Sequence, residues 1–117
     1  MTRSSTTCSP GDVVLVPFPF SDLSQRKLRP AVVISEGAYR VSRGDVVLVA
    51  LTTQPQQERA LALADWRGAG LPKPTWVKPL IMSLSSRMLV KTVGALARSD
   101  WPSVTAAIHL MVAPQFR

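Results

Sequence analysis

The sequence predicts a small, mostly antiparallel β-barrel of five to six or more strands with a C-terminal α-helix. Three observations carry that expectation. Short apolar runs rich in Val recur along the chain at strand length, bounded by turn residues. Ten prolines in 117 residues punctuate the chain too often for long helices. Only the end of the chain has helical spacing, with Trp101, Val104, Ile108 and Met111 on one stripe.

The elements follow in order. Residues 1–10 are polar and are expected to form a flexible N-terminal tail, with lone Cys8 a bystander in it; residues 11–117 then make one domain. Gly11–Phe20 reads as a strand with Val14, Val16, Phe18 and Phe20 on one face. Pro17 and Pro19 lie on the other face and imply an edge or a strand end. Ser21–Arg29 is a polar, basic loop, and Pro30–Ser35 a buried strand. Glu36–Gly44 connects to a third strand, Asp45–Leu51, which ends in Thr52-Thr53-Gln54-Pro55.

Arg59–Ala64 is a candidate short fourth strand. Gly68, Gly70, Pro72 and Pro74 then punctuate a second long loop. Thr75–Leu84 and Val90–Leu96 read as further strands around a turn at Ser85–Leu89. Ser99 or Asp100 can cap the final helix, with Pro102 in its first turn.

Charge is distributed unevenly. The net charge is +7. Residues 1–60 hold seven basic and five acidic side chains, and residues 61–117 hold seven and two. From Trp66 to Arg98 there are six bases (Arg67, Lys73, Lys78, Arg87, Lys91, Arg98) and no acid. Such a stretch fits a polyanion, either nucleic acid or an acidic protein. One cysteine allows no internal disulfide, the start lacks the apolar core of a signal peptide, and no apolar run reaches membrane-helix length. A soluble cytoplasmic protein is expected.

Counting removes several chemistries. His109 is the only histidine, so a two-histidine nuclease mechanism is unavailable. One Cys and one His cannot build a zinc site. The acids sit singly, without the paired carboxylates of a two-metal nuclease. What remains is chemistry by Arg, Lys and hydroxyl groups.

Two loops offer those groups. In Ser24-Gln25-Arg26-Lys27-Leu28-Arg29-Pro30, the proline holds Arg29 extended at the mouth of a buried strand, where a guanidinium can fork onto a phosphate. Arg29 can equally cap a sheet edge or pair with an acid. Thr52-Thr53-Gln54 places hydroxyls at a strand end, although such a turn can also bond only its own backbone. Alternation sends Thr52 and Thr53 to opposite sides, so one faces the groove and the other turns towards the barrel. Trp66, Trp76 and Tyr39 are candidate platforms for stacked bases.

The string GDVVLVPFPFSDLSQRKLRPAVVIS, followed at the expected distance by Leu51-Thr52-Thr53-Gln54, resembles the PemK/MazF toxins of type II toxin–antitoxin systems. Trp76-Val77-Lys78, Gly94-Ala95-Leu96 and the C-terminal helix extend the likeness over about residues 10–113. The resemblance implies an SH3-like barrel of the PemK/CcdB type and a homodimer. It also implies an endoribonuclease that cleaves single-stranded mRNA without metal or other cofactor. Its partners would be that RNA and a cognate antitoxin with an acidic flexible tail, through which alone it would meet DNA; no membrane partner is implied. Arg29 and Thr52 match the family's catalytic residues. Gln25, Lys27, Gln54, Lys73, Thr75 and Lys78 are the candidate RNA contacts. Ser24 stands where some members have Glu, and Thr75 is the nearest match to a later Asp, so the resemblance names no general base. The same fold also serves toxins that bind a topoisomerase without cutting anything, and a plain RNA-binding barrel is a further alternative.

Overall fold

In the computed structural model, described for residues 8–18, 27–113 and 115, five antiparallel strands form one sheet with a helix at the end of the chain. The strands are β1 (Asp12–Phe18), β2 (Lys27–Val33), β3 (Asp45–Thr52), β4 (Trp76–Ser85) and β5 (Lys91–Ala95), in the spatial order β4-β3-β2-β1-β5. Helix α1 (Gly37–Arg43) links β2 to β3, and α2 (Trp101–Met111) ends the domain. No helix among the described residues is long and apolar enough to cross a membrane.

The Val-rich runs are apolar at consecutive positions because the sheet is covered on both faces. Val13, Val32, Val49, Leu51 and Val77 face one cluster, completed by Val104 and Ala107 of α2 and by Leu61, Leu63, Ala69 and Leu71 of the β3–β4 connection. Val14, Val16, Phe18, Ala31, Val33, Val46, Leu48 and Ala50 face the other, against Met82, Leu84 and Leu89. Val14, Val16 and Phe18 share a face as expected; Phe20 and Pro19 lie outside the described residues. Pro17 falls near the end of β1, past the last β5 pairing at Leu15↔Lys91, where no neighbour needs its missing N–H.

Strand β2 begins at Lys27, within the segment expected to be loop, because Lys27–Arg29 pair with the end of β1. Four further expectations need correction. Cys8 does not belong to a loose arm: it is 4% exposed within the second cluster. Burial pushes its thiol above the ordinary range, an effect the positive charge of Arg40 offsets in part. Arg59–Ala64 is not a strand but a 3-10 turn at Arg59–Leu61 followed by a single bridge, Ala62↔Trp76. Glu36–Gly44 contains the short helix α1, which buries no residue and therefore has no apolar stripe to betray it. It stops at Gly44, whose φ of 76° lets its N–H return to the Arg40 carbonyl at 2.7 Å.

The fourth concerns Asp100. It stands at the start of α2 but its carboxylate caps nothing there. It accepts instead the N–H groups of Ala64 and Asp65, each at 2.8 Å, while only 2% exposed. Ser103 adds a bond from its hydroxyl to the Ala62 carbonyl at 3.1 Å. The predicted stripe of α2 does pack on the first cluster, so the helix both closes the core and holds the long connection in place.

That connection is also pinned at its far side. Gly70 has a φ of +86°, and a Cβ there would collide with the Val93 carbonyl oxygen; a Cβ on Gly94 would collide with the Ala69 carbonyl. Two glycines thus let the loop backbone cross directly over β5. Gly94→Ala is therefore expected to destabilise the fold by about 1–3 kcal/mol through overpacking against backbone. Gly37→Ala, with open space around it and ordinary φ, should be neutral or slightly stabilising. Thermal melting of both variants checks this, and equal melting temperatures would refute the crossing.

Candidate functional site

A cleft of about 430 Å³ opens where β2 and β3 part. Its origin is in the ladder. The Ile34 N–H donates to the Val47 carbonyl at 2.9 Å, so every second residue back along β2 turns its backbone groups to β3. Pro30 is one of these and has no N–H. Pairing with β3 stops at Ala31↔Ala50, whereas pairing with β1 runs on to Lys27↔Phe18. Continuing the β2–β3 register one and two steps sets Pro30 opposite Leu51 and Arg29 opposite Thr52. These four residues line the cleft.

The floor is apolar. Leu15, the register partner of Pro30, joins Leu51, Leu71 and Val93. The facing wall is Gly70–Lys73 and Thr75, the part of the connection held by α2 and by the glycine crossing. Arg29 and Lys73 are the charged groups among the described lining residues, and both are exposed. Arg29 is tied on its other edge by pairing with Val16, and Thr52 by pairing with Trp76 of β4.

The two threonines differ from expectation. Both line the cleft, and Thr53 is exposed rather than turned towards the barrel. The β3 ladder ends at Thr52, so strand alternation no longer governs Thr53. The hydroxyl that bonds backbone is that of Thr52: its Oγ1 accepts the Gln54 N–H at 3.1 Å. This leaves the Thr52 proton available as a donor. Thr75 is 3% exposed and its hydroxyl donates to the Lys73 carbonyl at 2.8 Å, which fixes the backbone that carries Lys73.

Of the candidate residues, the cleft collects Arg29, Thr52, Lys73 and Thr75. Gln54 lies just beyond it, contributing its backbone N–H to Thr52. Lys27 is exposed at the outer end of β2, and Lys78 is half-buried on β4; neither lines the cleft. Gln25 and Ser24 lie outside the described residues. The aromatic candidates are elsewhere: Trp66 and Trp76 pack partly buried on the first cluster, and Tyr39 borders a separate recess with Ile34, Ser35 and Val47. Sequence reasoning missed the floor, because Leu15, Leu51, Leu71 and Val93 look like ordinary core residues. It also missed Asp100 as the support of the wall; the only signal was an acid preceding Trp101-Pro102, which also describes a helix cap. His109 is exposed on α2. Among the described residues, no three His, Cys, Asp or Glu side chains converge on one point.

Comparison with known proteins agrees with the fold. An endoribonuclease in complex with its cognate antitoxin, from a mycobacterial species, superposes with a TM-score of 0.74 at 16% identity, covering 95% of this chain and 100% of that one. Toxin MazF-mt6 of Mycobacterium tuberculosis gives 0.68 at 19% identity over 85% and 93% of the two chains. A MazE-MazF structure from Deinococcus radiodurans gives 0.69 at 18% identity over 92% and 100%. At these identities the likeness is one of fold. No curated relative matches the sequence. The family model for the PemK-like, MazF-like toxin of type II toxin–antitoxin systems matches residues 9–112, and the chain belongs to that family.

Proposed function

We propose that this chain is an endoribonuclease that cuts single-stranded mRNA in the Arg29–Thr52 cleft, as the toxin held in check by a cognate antitoxin. The observation that carries the reading is the placement of Arg29 opposite Thr52 across parted strands, with Lys73 on the facing wall. RNA brings its own nucleophile. The 2′-hydroxyl gives up its proton to solvent as its oxygen attacks the adjacent phosphorus, the bond from phosphorus to the 5′-oxygen breaks, and the 5′-oxygen takes a proton from solvent as it leaves. The products are a 2′,3′-cyclic phosphate and a 5′-hydroxyl.

Negative charge gathers on the nonbridging oxygens as this happens. Arg29 donates two parallel hydrogen bonds to them and stays charged throughout. Thr52, oriented by the Gln54 N–H, donates a hydrogen bond to a phosphate oxygen or orients the 2′-hydroxyl, and keeps its proton. Lys73 holds the RNA backbone, and its place depends on the Thr75 hydroxyl rather than on a carboxylate. Thr75 thus serves here as a positioning residue.

The acidic flexible tail of an antitoxin competes for the same cations, since Arg29 and Lys73 offer it two charges beside an apolar floor. Relatives solved with their antitoxins support such a partner. A homodimer and a cytoplasmic setting belong to the same reading.

Three outcomes test it. Cleavage of mixed single-stranded RNA should persist in excess EDTA and leave cyclic-phosphate ends; loss on chelation and recovery with magnesium would sink the mechanism. Arg29→Ala should slow single-turnover cleavage by about a hundredfold or more, with the fold intact. Arg29→Lys should also be poor, because an ammonium cannot make the fork; wild-type rates in either variant would reduce Arg29 to a structural residue. Thr52→Val should lower turnover by roughly a hundredfold and stability by about 1 kcal/mol, since it removes both a donor and the acceptor for Gln54. Thr52→Ser should restore both, and Thr53→Val should stay near wild type in turnover. A fully active Thr52→Val protein would remove Thr52 from the site.

A further inference from the structure

The turn that leads into the cleft wall carries a feature the cleft chemistry does not use. The Arg67 guanidinium lies over the ring of Trp66, 4.8 Å from its centroid. Trp66 is half-buried and anchored on the first cluster, whereas Arg67 is exposed. The stack is therefore a flat, cationic surface on a fixed base.

The turn itself is tightly built. The Asp65 carboxylate accepts the Gly68 N–H at 3.0 Å, and the N–H groups of Ala69, Gly70 and Leu71 return to the carbonyls of Asp65, Arg67 and Trp66 at 3.3, 3.0 and 3.1 Å. It hangs from Asp100 at its start and lies across β5 at Gly70. Gly70 also lines the cleft, one hydrogen-bonded turn from Arg67. The stack and the cleft wall are thus parts of one rigid piece. The carboxylate of Asp65 is the acid beside the stack, and its bond to Gly68 holds it within the turn.

We infer that the Arg67–Trp66 stack is a second RNA subsite, which takes the phosphate and base face of a nucleotide flanking the one held in the cleft. This rests on the RNA-cutting reading above. Single-stranded RNA binds through planar groups and fixed cations together, and the exposed Arg67 guanidinium, backed by the Trp66 indole, is a planar cation on which a base can stack. Among the described residues that line the cleft none is aromatic, and the Arg67–Trp66 stack lies beside it on the turn that carries Gly70. The Trp66–Arg98 stretch, with six bases and no acid, gives the strand's charge a complement.

The test uses the full chain and a fluorescein-labelled 12-nucleotide RNA of random sequence, with 2′-O-methyl riboses so that it cannot be cut. Arg67→Ala should raise Kd about tenfold, the scale of one lost stacking contact. It should also lower the slope of log affinity against log salt by about one. Melting temperature and the cleavage rate at saturating unmodified RNA should not change, which separates a binding contact from a structural one. Arg67→Lys keeps the charge but not the plane and should bind more weakly than wild type. If wild type binds and Arg67→Ala or Arg67→Lys binds as well, the subsite is refuted while the nuclease reading stands. If the wild type neither binds nor cuts RNA, both fall. Unchanged RNA affinity in Arg67→Ala with reduced affinity for a polyglutamate peptide would assign the turn to a protein partner and overturn the proposal.

Discussion

The cleft depends on a hydrogen bond that β2 cannot make. Pro30 turns the edge that should donate towards β3, and it has no N–H to give. One step earlier in the ladder, at Ala31, the strands are paired and their side chains buried; one step later they are apart, with Arg29 exposed and Thr52 half-buried. Meanwhile β1 still pairs with this end of β2, and β4 with the end of β3. The gap is therefore flanked by strands that are each fixed on their outer edge. A proline within a β-sheet ordinarily weakens it; here it opens a cleft without making its walls mobile.

The facing wall has no strand to hold it and is built by other means. A buried carboxylate needs partners, and Asp100 finds them in two backbone N–H groups that a loop would otherwise have to solvate. Those bonds fasten the loop to α2, whose apolar stripe is itself fastened to the core. The Gly70–Gly94 crossing then sets how closely the loop approaches β5. Packing of the C-terminal helix is thereby transmitted to Lys73 and Thr75 through a short chain of directional contacts.

Much of this was legible in the sequence, and the boundary of legibility has physical causes. Strands β1 to β3 announced themselves because their Val-rich runs must be buried, β4 and β5 as short runs set between turn residues, and α2 because Trp101, Val104, Ile108 and Met111 share a stripe. The segment Arg59–Ala64 alternates like a strand, yet only Ala62 finds a bridging partner, and Leu61 and Leu63 are buried through a turn instead. Helix α1 was invisible because an element with no buried residue leaves no period. Arg29 and Thr52 were singled out by the family resemblance, which the Arg-Pro and Thr-Thr-Gln patterns carry in this order; either loop taken alone reads as ordinary structure. The direction of Thr53 could not, since alternation holds only while the ladder does, and the ladder ends at Thr52. The role of Asp100 was hidden for a different reason: its partners are 35 and 36 residues away.

The placement of polar groups on an apolar floor bears on how the proposed chemistry would work. On the proposed reading, Leu15, Leu51, Leu71 and Val93 would lie beneath the reacting phosphate, and a charge-assisted bond from Arg29 would strengthen as bound RNA displaced water and lowered the local dielectric. The same floor would penalise a buried carboxylate unless it were paired. Thr75, the nearest match to the later Asp that the family resemblance implies, has a neutral hydroxyl already bonded to the Lys73 carbonyl. Its burial costs little, because the bond satisfies its proton. The cleft wall is thus compatible with an apolar floor in a way an unpaired acid would not be. On the proposed reading, catalysis in this chain leans on transition-state charge stabilisation by Arg29 and Thr52, with no contribution from an acid at position 75.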